Sequence, residues 1–251
     1  MTLRLLTYNI QRGGRGRESA LARVIAACSP DVVVLQEAQD PAVVERLARD
    51  CAMGQWGAQP QSSLGFLSRN LLTHYAWHRP RRSRHAFLEL VLPDGMRVFG
   101  VHLAAVHSAW TERRRLTEFR ALLAGIAEHQ HGFHVLAGDF NTLAPGELLE
   151  IRQLPYRLRT LVWLSGGRIR WKTIEAVLAA GYVDGFRRLN HGTAGATFPT
   201  RAPHIRLDYV FVPERFAGRL RTCSVMTGED AARASDHFPL FAEFGSADRQ
   251  S

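Results

Sequence analysis

The stretch from Phe133 to Asn141, FHVLAGDFN, constrains the fold of this 251-residue chain more than any other. Its apolar first part is typical of a strand, and Gly138 ends that run just before Asp139 and Asn141. Residues two apart in an extended segment project from the same side, so both polar side chains can face one point beyond the strand's end. Gly, Asp and Asn are also ordinary turn residues, so the stretch alone fits a strand that runs into a turn.

Other apolar runs carry polar groups at their edges in the same way. They are Asn9 in LLTYNI, Glu37 in VVVLQE, His102 in VFGVHL, Asp208 in RLDYVFV, and the adjacent Asp236 and His237 in SDHFPLF. Together these residues supply carboxylates, carboxamides and imidazoles, which suit a magnesium ion and a phosphate ester. A lone histidine is usually an ordinary packed or surface residue, so the prediction depends on the shared position of these groups.

The order of the elements predicts an α/β fold. VVVL at 32–35 is apolar on both faces, which indicates a central strand. Residues 18–28 show helical spacing of apolar side chains, and Asp40 and Pro41 predict the N-cap and first turn of a second helix. An Asp-Gly pair at 94–95 predicts a hairpin between strands 86–92 and 97–103.

The remaining elements are predicted from weaker patterns. We expect a loop over 52–63, a long helix from Ser108, a short helix from Pro145, and strands over 220–226 and 238–244. A helix from Lys172 is expected to face inward with Ile174, Val177 and Leu178. The chain shows no linker and no internal repeat, so we predict one domain over 1–245 and a polar tail over 246–251, acting as a monomer.

Charge and cysteine content indicate the partners and the compartment. A formal charge of +9 and a pI near 10.4 favour contact with phosphate-rich partners, either nucleic acid or an anionic lipid surface. Three cysteines without CxxC spacing indicate buried free thiols and a reducing compartment. No stretch has the roughly 18–20 apolar residues of a spanning helix, and no signal peptide is evident. We therefore expect a cytoplasmic protein without a transmembrane segment.

Six short motifs then carry a resemblance to a known family. They are TYNI at 7–10, QE at 36–37, GVHL at 100–103, GDFN at 138–141, RLDYVF at 206–211 and SDHFPL at 235–240. In this order, the chain resembles the endonuclease/exonuclease/phosphatase superfamily, which includes deoxyribonuclease I. The resemblance implies a four-layer α/β sandwich, in which two packed mixed β-sheets are flanked by helices and the active site lies at one edge.

The resemblance also implies a metal-dependent phosphoesterase and gives each residue a role. Glu37, with Asn9 and Asp236, would hold Mg²⁺, for which Mn²⁺ could substitute. The remaining catalytic roles fall on His102, Asp139, Asn141, Asp208 and His237. In these roles, Asp139 orients or deprotonates the attacking water and Asn141 binds the phosphate. His237, oriented by Asp208, binds a phosphate oxygen or acts as a base, and His102 lies near the leaving group.

The substrate is less constrained than the chemistry. The basic charge and the arginine-rich loops at 12–17 and 79–84 favour a phosphodiester in nucleic acid. The apolar, arginine-bearing segment 151–171 favours instead a phospholipid or sphingomyelin head group, and an inositol phosphate is a further alternative. A binding module without catalysis is the rival from another class. The chain departs from the family where Ala104 and Ala105 follow GVHL and where Arg115 is followed by Glu118 instead of a glutamine.

Overall fold

Two stacked mixed sheets organise the part of the chain that the computed structural model describes, residues 2–81, 83–105, 109–147 and 171–246. The strands, numbered in chain order, are β1 Leu3–Asn9, β2 Val32–Gln36, β3 Gln55–Ala58, β4 Leu64–Ser68, β5 His74–His78, β6 Phe87–Val91, β7 Arg97–His102, β8 His134–Asp139, β9 Tyr182–Asp184, β10 Asp208–Pro213, β11 Leu220–Val225 and β12 Leu240–Phe244. The first sheet has the order β11-β12-β1-β2-β4-β3 and the second β5-β6-β7-β8-β10-β9.

Helices cover the outer faces of both sheets. They are α1 Glu18–Cys28, α2 Pro41–Asp50, α3 Ala109–Gly125, α4 Lys172–Ala179 and α6 Glu229–Ala234, while the short helix α5 Gly185–Leu189 places Phe186 in the core between the sheets. Short 3₁₀ turns lie at Arg12–Gly14, Ala127–His129 and Glu214–Arg219. None of the helices in these described ranges is long and apolar enough to cross a bilayer.

Alternation along the strands produces three apolar layers. On β1, Leu3 and Leu5 face the space between the sheets, while Leu6 and Tyr8 face α1 and α2. The outer face of the second sheet packs against α3 and α4, for example through Phe119. Central strands that are buried on both faces must be apolar on both faces, which explains VVVL in β2. The four-layer α/β sandwich of two mixed sheets flanked by helices is thus confirmed.

Several local predictions were correct and three were wrong. The side chain of Asp40 caps α2 by accepting a hydrogen bond from Ala42 N at 3.1 Å. The predicted loop 52–63 contains β3, a half-buried edge strand paired with β4 whose QWGA sequence carries little strand signal. Leu178 is 39% exposed instead of facing inward. Pro145 lies in a turn, where Gly146 adopts a positive φ of 80°, and no helix begins there among the described residues.

Some predictions concern residues outside the described ranges. These are Ser108 as a helix cap, most of the arginine-bearing segment (151–170), and most of the polar tail (247–251).

Candidate active site

The ends of paired strands place the predicted site residues at one edge of the sandwich. In the first sheet, Asn9 at the end of β1 is in register with Gln36 of the parallel strand β2, and Glu37 follows directly. In the second sheet, Asp139 of β8 is in register with His102 of β7 and with Asp208 of β10. Parallel strands end at the same edge, so the chain order dictates this convergence.

One carboxylate oxygen lies at the centre of the cluster. Oδ2 of Asp139 accepts a hydrogen bond from Asn9 Nδ2 at 3.1 Å, which joins the two sheets. The Nε2 atoms of His102 and His237 lie 3.8 and 4.0 Å from the same oxygen. Asp139 is only 1% exposed. Side chains from four distant motifs therefore meet at a single buried oxygen.

The backbone after β8 fixes the direction of this carboxylate. A Cβ atom on Gly138 would lie 1.8 Å from the carbonyl oxygen of Val101, so only glycine permits this approach of β8 to β7. Asn141 has a positive φ of 52°, and its backbone N–H donates to Asp139 Oδ1 at 2.8 Å. The Asn141 side chain donates to Leu103 O at 3.0 Å. These bonds occupy Oδ1 and leave Oδ2 facing the other site residues.

A carboxylate–imidazole pair lies beside Asp139. His237 Nδ1 is 2.8 Å from Asp208 Oδ2, and both residues are buried. Ser235 holds the segment in place, because its hydroxyl donates to Asn9 O at 2.6 Å and accepts from His237 N at 3.3 Å. Asp208 Oδ1 has no hydrogen-bond partner among the described residues. The second oxygen of Asp208 thus remains available to a ligand.

Glu37 and Asp236 lie at the margin of the cluster and are half-buried. Glu37 Oε1 accepts from Asn9 Nδ2 at 3.3 Å, and Oε2 accepts from Arg12 N at 2.5 Å. Glu37 itself adopts a positive φ of 56°, at the turn where β2 ends. Asp236 approaches only the hydroxyl of Ser235, at 3.5 Å, among the side chains described. Through Asn9, Glu37 is connected to Asp139.

Burial and neighbouring charges shift the pKa values of Asp139, His102 and His237, so these groups differ in protonation state at neutral pH. Burial and, second to it, the nearby Asp208 together raise the pKa of Asp139 to about 7. Burial lowers the pKa of His102 to about 4, and its Nδ1 lacks a partner in the described part of the chain. Burial alone acts to lower the pKa of His237, but Asp208, Asp139 and Asp236 together raise it to about 10. At neutral pH the site therefore combines a carboxyl group near its midpoint, a neutral imidazole and an imidazolium.

The cluster offers a compact set of possible metal ligands. One ligand atom from each of Asp139, Asp208 and His237 lies within 4.8 Å of the others, and no second such group occurs within the described ranges. Glu37 and Asp236, two of the three residues predicted to hold the metal, lie outside this group. Carboxylate oxygens are the ligands that hard divalent cations prefer, so the donor set fits such an ion.

Two residues beside the site were missed from the sequence, His85 and Glu118. His85 Nδ1 lies 3.0 Å from Glu118 Oε1, and the ring centroids of His85 and His102 are 6.2 Å apart. The one available signal was Glu118 itself, where the family pattern has a glutamine. A charge at that position needs a cationic neighbour when it is buried.

Comparison with known proteins agrees with this architecture. The model of the Endonuclease/Exonuclease/phosphatase family matches residues 6–237. A search of curated proteins found no match.

Solved structures share the fold at low sequence identity. The 3′ phosphatase NExo from Neisseria, bound to product DNA hairpin, has a TM-score of 0.72 at 20% identity, covering 97% of this chain and 100% of its own. An AP endonuclease from Archaeoglobus fulgidus has a TM-score of 0.73 at 17% identity, with the same coverage. Humanized D. rerio TDP2 has a TM-score of 0.67 at 18% identity, covering 98% of this chain and 99% of its own.

The family match begins within β1 and ends at His237, so it includes the strand ends that converge on Asp139. The fold, the motif order and the buried cluster agree with it independently. The chain belongs to the Endonuclease/Exonuclease/phosphatase family and is a metal-dependent phosphoesterase.

Proposed function

We propose that this chain is a Mg²⁺-dependent phosphodiesterase that hydrolyses nucleic acid by in-line attack of water. The observation that carries the proposal is the convergence on Asp139 Oδ2 of Asn9 at 3.1 Å, His102 at 3.8 Å and His237 at 4.0 Å. A buried carboxylate among two imidazoles and a carboxamide is expensive to maintain for stability alone. It suits a reaction in which one oxygen collects a proton while a phosphoryl group is held beside it.

Asp139 is the proposed base. Its pKa of about 7 lies near the operating pH, which is the condition for efficient proton transfer from water. As the water oxygen forms its bond to phosphorus, its proton passes to Asp139 and the ester P–O bond breaks. Asn141, whose backbone N–H holds Asp139 Oδ1 at 2.8 Å, positions the water and the phosphate.

His237 is the proposed phosphate-binding cation. Asp208 fixes the ring through Nδ1 at 2.8 Å, so Nε2 is left to donate to a phosphate oxygen. The pKa of about 10 keeps this imidazole protonated at neutral pH. His102, with a pKa of about 4, is neutral at neutral pH. It can donate a hydrogen bond to the leaving oxygen but brings no positive charge.

The metal assignment to Mg²⁺ is supported by the donor chemistry. Carboxylates dominate the site, no Cys sulfur belongs to the ligand cluster of the described residues, and Asp208 Oδ1 has no partner there. We propose Glu37 as the principal ligand, supported by Asn9 and Asp236, with Mn²⁺ as a substitute. Bound there, the ion would offset negative charge on the phosphoryl oxygens.

Nucleic acid is the favoured substrate class for two reasons. The formal charge of +9 attracts a polyanionic backbone. Among the structural neighbours, NExo is bound to a DNA hairpin and the Archaeoglobus protein is an AP endonuclease. The three cysteines are free and buried, which supports a cytoplasmic location, and we propose that the enzyme acts there as a monomer.

Hydrolysis of a substrate panel tests the proposal. Plasmid DNA, abasic DNA, RNA, sphingomyelin and inositol phosphates would be incubated at matched Mg²⁺, with EDTA and with Asp139→Ala as controls. We expect turnover of a nucleic acid that both controls abolish. Turnover of sphingomyelin or inositol phosphates alone would contradict the substrate class, and activity that survives both controls would contradict the mechanism.

A further inference from the structure

One face of α3 carries a line of side chains that begins beside the active site. Trp110, Arg114 and Glu118 are spaced four residues apart, so they lie along one side of the helix. At 1.5 Å per residue the line is about 12 Å long. Exposure changes along it, because Glu118 is buried while Trp110 is 67% exposed. The line therefore leads from the protein interior to solvent.

Glu118 connects this line to the active site. Its Oε1 accepts from His85 Nδ1 at 3.0 Å and from Arg114 Nε at 3.2 Å, and its Oε2 accepts from Ala104 N at 3.3 Å. Ala104 lies two residues after His102, and the His85 ring is 6.2 Å from the His102 ring. Both carboxylate oxygens of Glu118 accept hydrogen bonds, and one of them holds His85 and Arg114 together.

Both side chains keep nitrogen atoms that a ligand can reach. Nδ1 of His85 is occupied by Glu118, and Nε2 has no hydrogen-bond partner among the described residues. Arg114 uses Nε for Glu118 and keeps its two terminal nitrogens, with a side chain that is 23% exposed. Glu118 therefore fixes two nitrogen-bearing side chains beside the active site, where they can contact the phosphates of a substrate strand.

Trp110 supplies a different kind of surface. It is the largest aromatic side chain exposed on the described residues, and it lies one helical turn from Arg114. Leaving an indole in water forfeits the burial that this side chain normally gains. An aromatic face next to cations is the combination that holds single-stranded nucleic acid, in which bases stack and phosphates pair with the cations.

We propose that Trp110, Arg114 and His85 form a binding track for one strand of the nucleic-acid substrate, with Glu118 as the residue that positions the Arg114 and His85 side chains. A base stacks on Trp110, and the phosphates that follow it toward the reaction centre contact Arg114 and His85. This inference rests on the proposed function, since it names the surface that holds the same substrate.

Binding of a fluorescein-labelled single-stranded oligothymidylate in EDTA tests the track without catalysis. We expect Trp110→Ala to weaken binding roughly tenfold, as for loss of one base–aromatic stack, and Trp110→Phe to retain most of it. Arg114→Gln should flatten the slope of log K against log salt by about 0.7, as for one lost contact to a single strand. Arg120→Gln is the matched control, because Arg120 is an exposed arginine of the same helix, away from this line.

Rates with two substrates separate this inference from the proposed function. For Trp110→Ala and Arg114→Gln, kcat/KM should fall at least about tenfold more for the oligonucleotide than for bis(p-nitrophenyl) phosphate, which has no strand to bind. Arg120→Gln should leave both rates at the wild-type level. Equal losses on both substrates, unchanged oligonucleotide affinity in EDTA, or binding only to anionic vesicles would overturn the track. An inactive wild-type enzyme that still binds through Trp110 would overturn the proposed function instead.

Discussion

Two buried charge clusters lie on either side of the same short segment, and they are built differently. In one, the guanidinium of Arg206 is 1% exposed and donates four hydrogen bonds of 2.6 to 2.9 Å to Asp184 and Glu147. In the other, two residues away, Asp208 shares a buried site with Asp139 and leaves Oδ1 without a partner in the described structure. Both clusters contain buried charged groups, but among the described residues only the second leaves a buried carboxylate oxygen without a hydrogen-bond partner.

We interpret this difference as one between a cluster that supports the fold and a cluster that is arranged for reaction. A buried ion pair in which all three guanidinium nitrogens donate to carboxylates is costly to break. A buried carboxylate whose pKa is raised by burial and by a second carboxylate is held in a state that binding or reaction can relieve. We therefore assign the Arg206 cluster to holding the start of β10 in place, and we propose the Asp139 cluster as the one that performs the chemistry.

Asp139→Asn gives the largest expected effect on activity. Without the base, kcat should fall by roughly 10²–10⁴-fold. In EDTA at pH 8 the melting temperature should stay the same or rise, because the substitution removes a buried negative charge beside Asp208. Steady-state kinetics and a thermal melt measure the two outcomes. If the variant melted at a lower temperature but kept its activity, the Asp139 cluster would be structural and our assignment of its role would be wrong.

Arg206→Met gives the largest expected effect on stability. It leaves the buried carboxylate of Asp184 without its arginine and removes one of the two arginine partners of the half-buried Glu147, which costs about 3–5 kcal/mol of unfolding free energy. Urea denaturation measures this loss. Arg187→Met is the matched control, because Arg187 contacts the same Glu147 at 2.8 Å from a side chain that is 36% exposed. We expect that control to cost less than about 1 kcal/mol; equal costs would contradict a structural role for full pairing.

Glu37→Gln tests whether the metal site of the reactive cluster includes Glu37. If Glu37 holds the metal, the Mg²⁺ concentration for half-maximal activity should rise by about tenfold or more, while kcat at saturating Mg²⁺ falls less. Asp50→Asn, on the exposed end of α2, provides the control for loss of one acidic charge. An unchanged Mg²⁺ requirement would move the metal to the group formed by Asp139, Asp208 and His237.

The smallest expected effect is a pH dependence of stability. The pKa of His237 is raised to about 10 in the folded protein, above its ordinary value of 6.5, so its stabilising contribution is complete below pH 6.5 and is lost as pH rises through about 10. The destabilisation caused by His237→Gln should therefore be largest at pH 6 and shrink toward pH 10. Urea titrations of both proteins in EDTA measure it. A difference that grows with pH would contradict the raised pKa.

The sequence predicted the reactive cluster better than its supports. Asn9, Glu37, His102 and Asp139 each follow or end an apolar run, and parallel strands oblige such ends to meet at an edge. Asp208 begins the apolar run of β10, which is antiparallel to β8, so it lies at the same edge. Periodicity alone predicted alternating α and β elements, while the second sheet required the family resemblance. The contact of Asn9 with Asp139 across the sheets is a property of sheet packing, which no local pattern encodes.

The supporting residues could not be predicted because their partners lie far away in the sequence and have no distinctive local pattern. Arg206 pairs with Asp184 and Glu147, residues 22 and 59 positions away, and nothing local distinguishes it from the chain's other arginines. Arg115, the last of three consecutive arginines, is likewise buried and donates to Ala104 O at 2.8 Å. Glu118 differed visibly from the family pattern, but its partner His85 lies 33 positions earlier.

The central claim is that strand ends from both sheets converge on Asp139 to hold a divalent cation beside a phosphoester. Anomalous diffraction from crystals soaked in Mn²⁺ tests it most directly, under conditions in which the dissolved enzyme is active. We predict a manganese peak within bonding distance of a carboxylate oxygen of Glu37, Asp139, Asp208 or Asp236. An active enzyme whose crystals bind manganese only at other carboxylates, or not at all, would contradict the account.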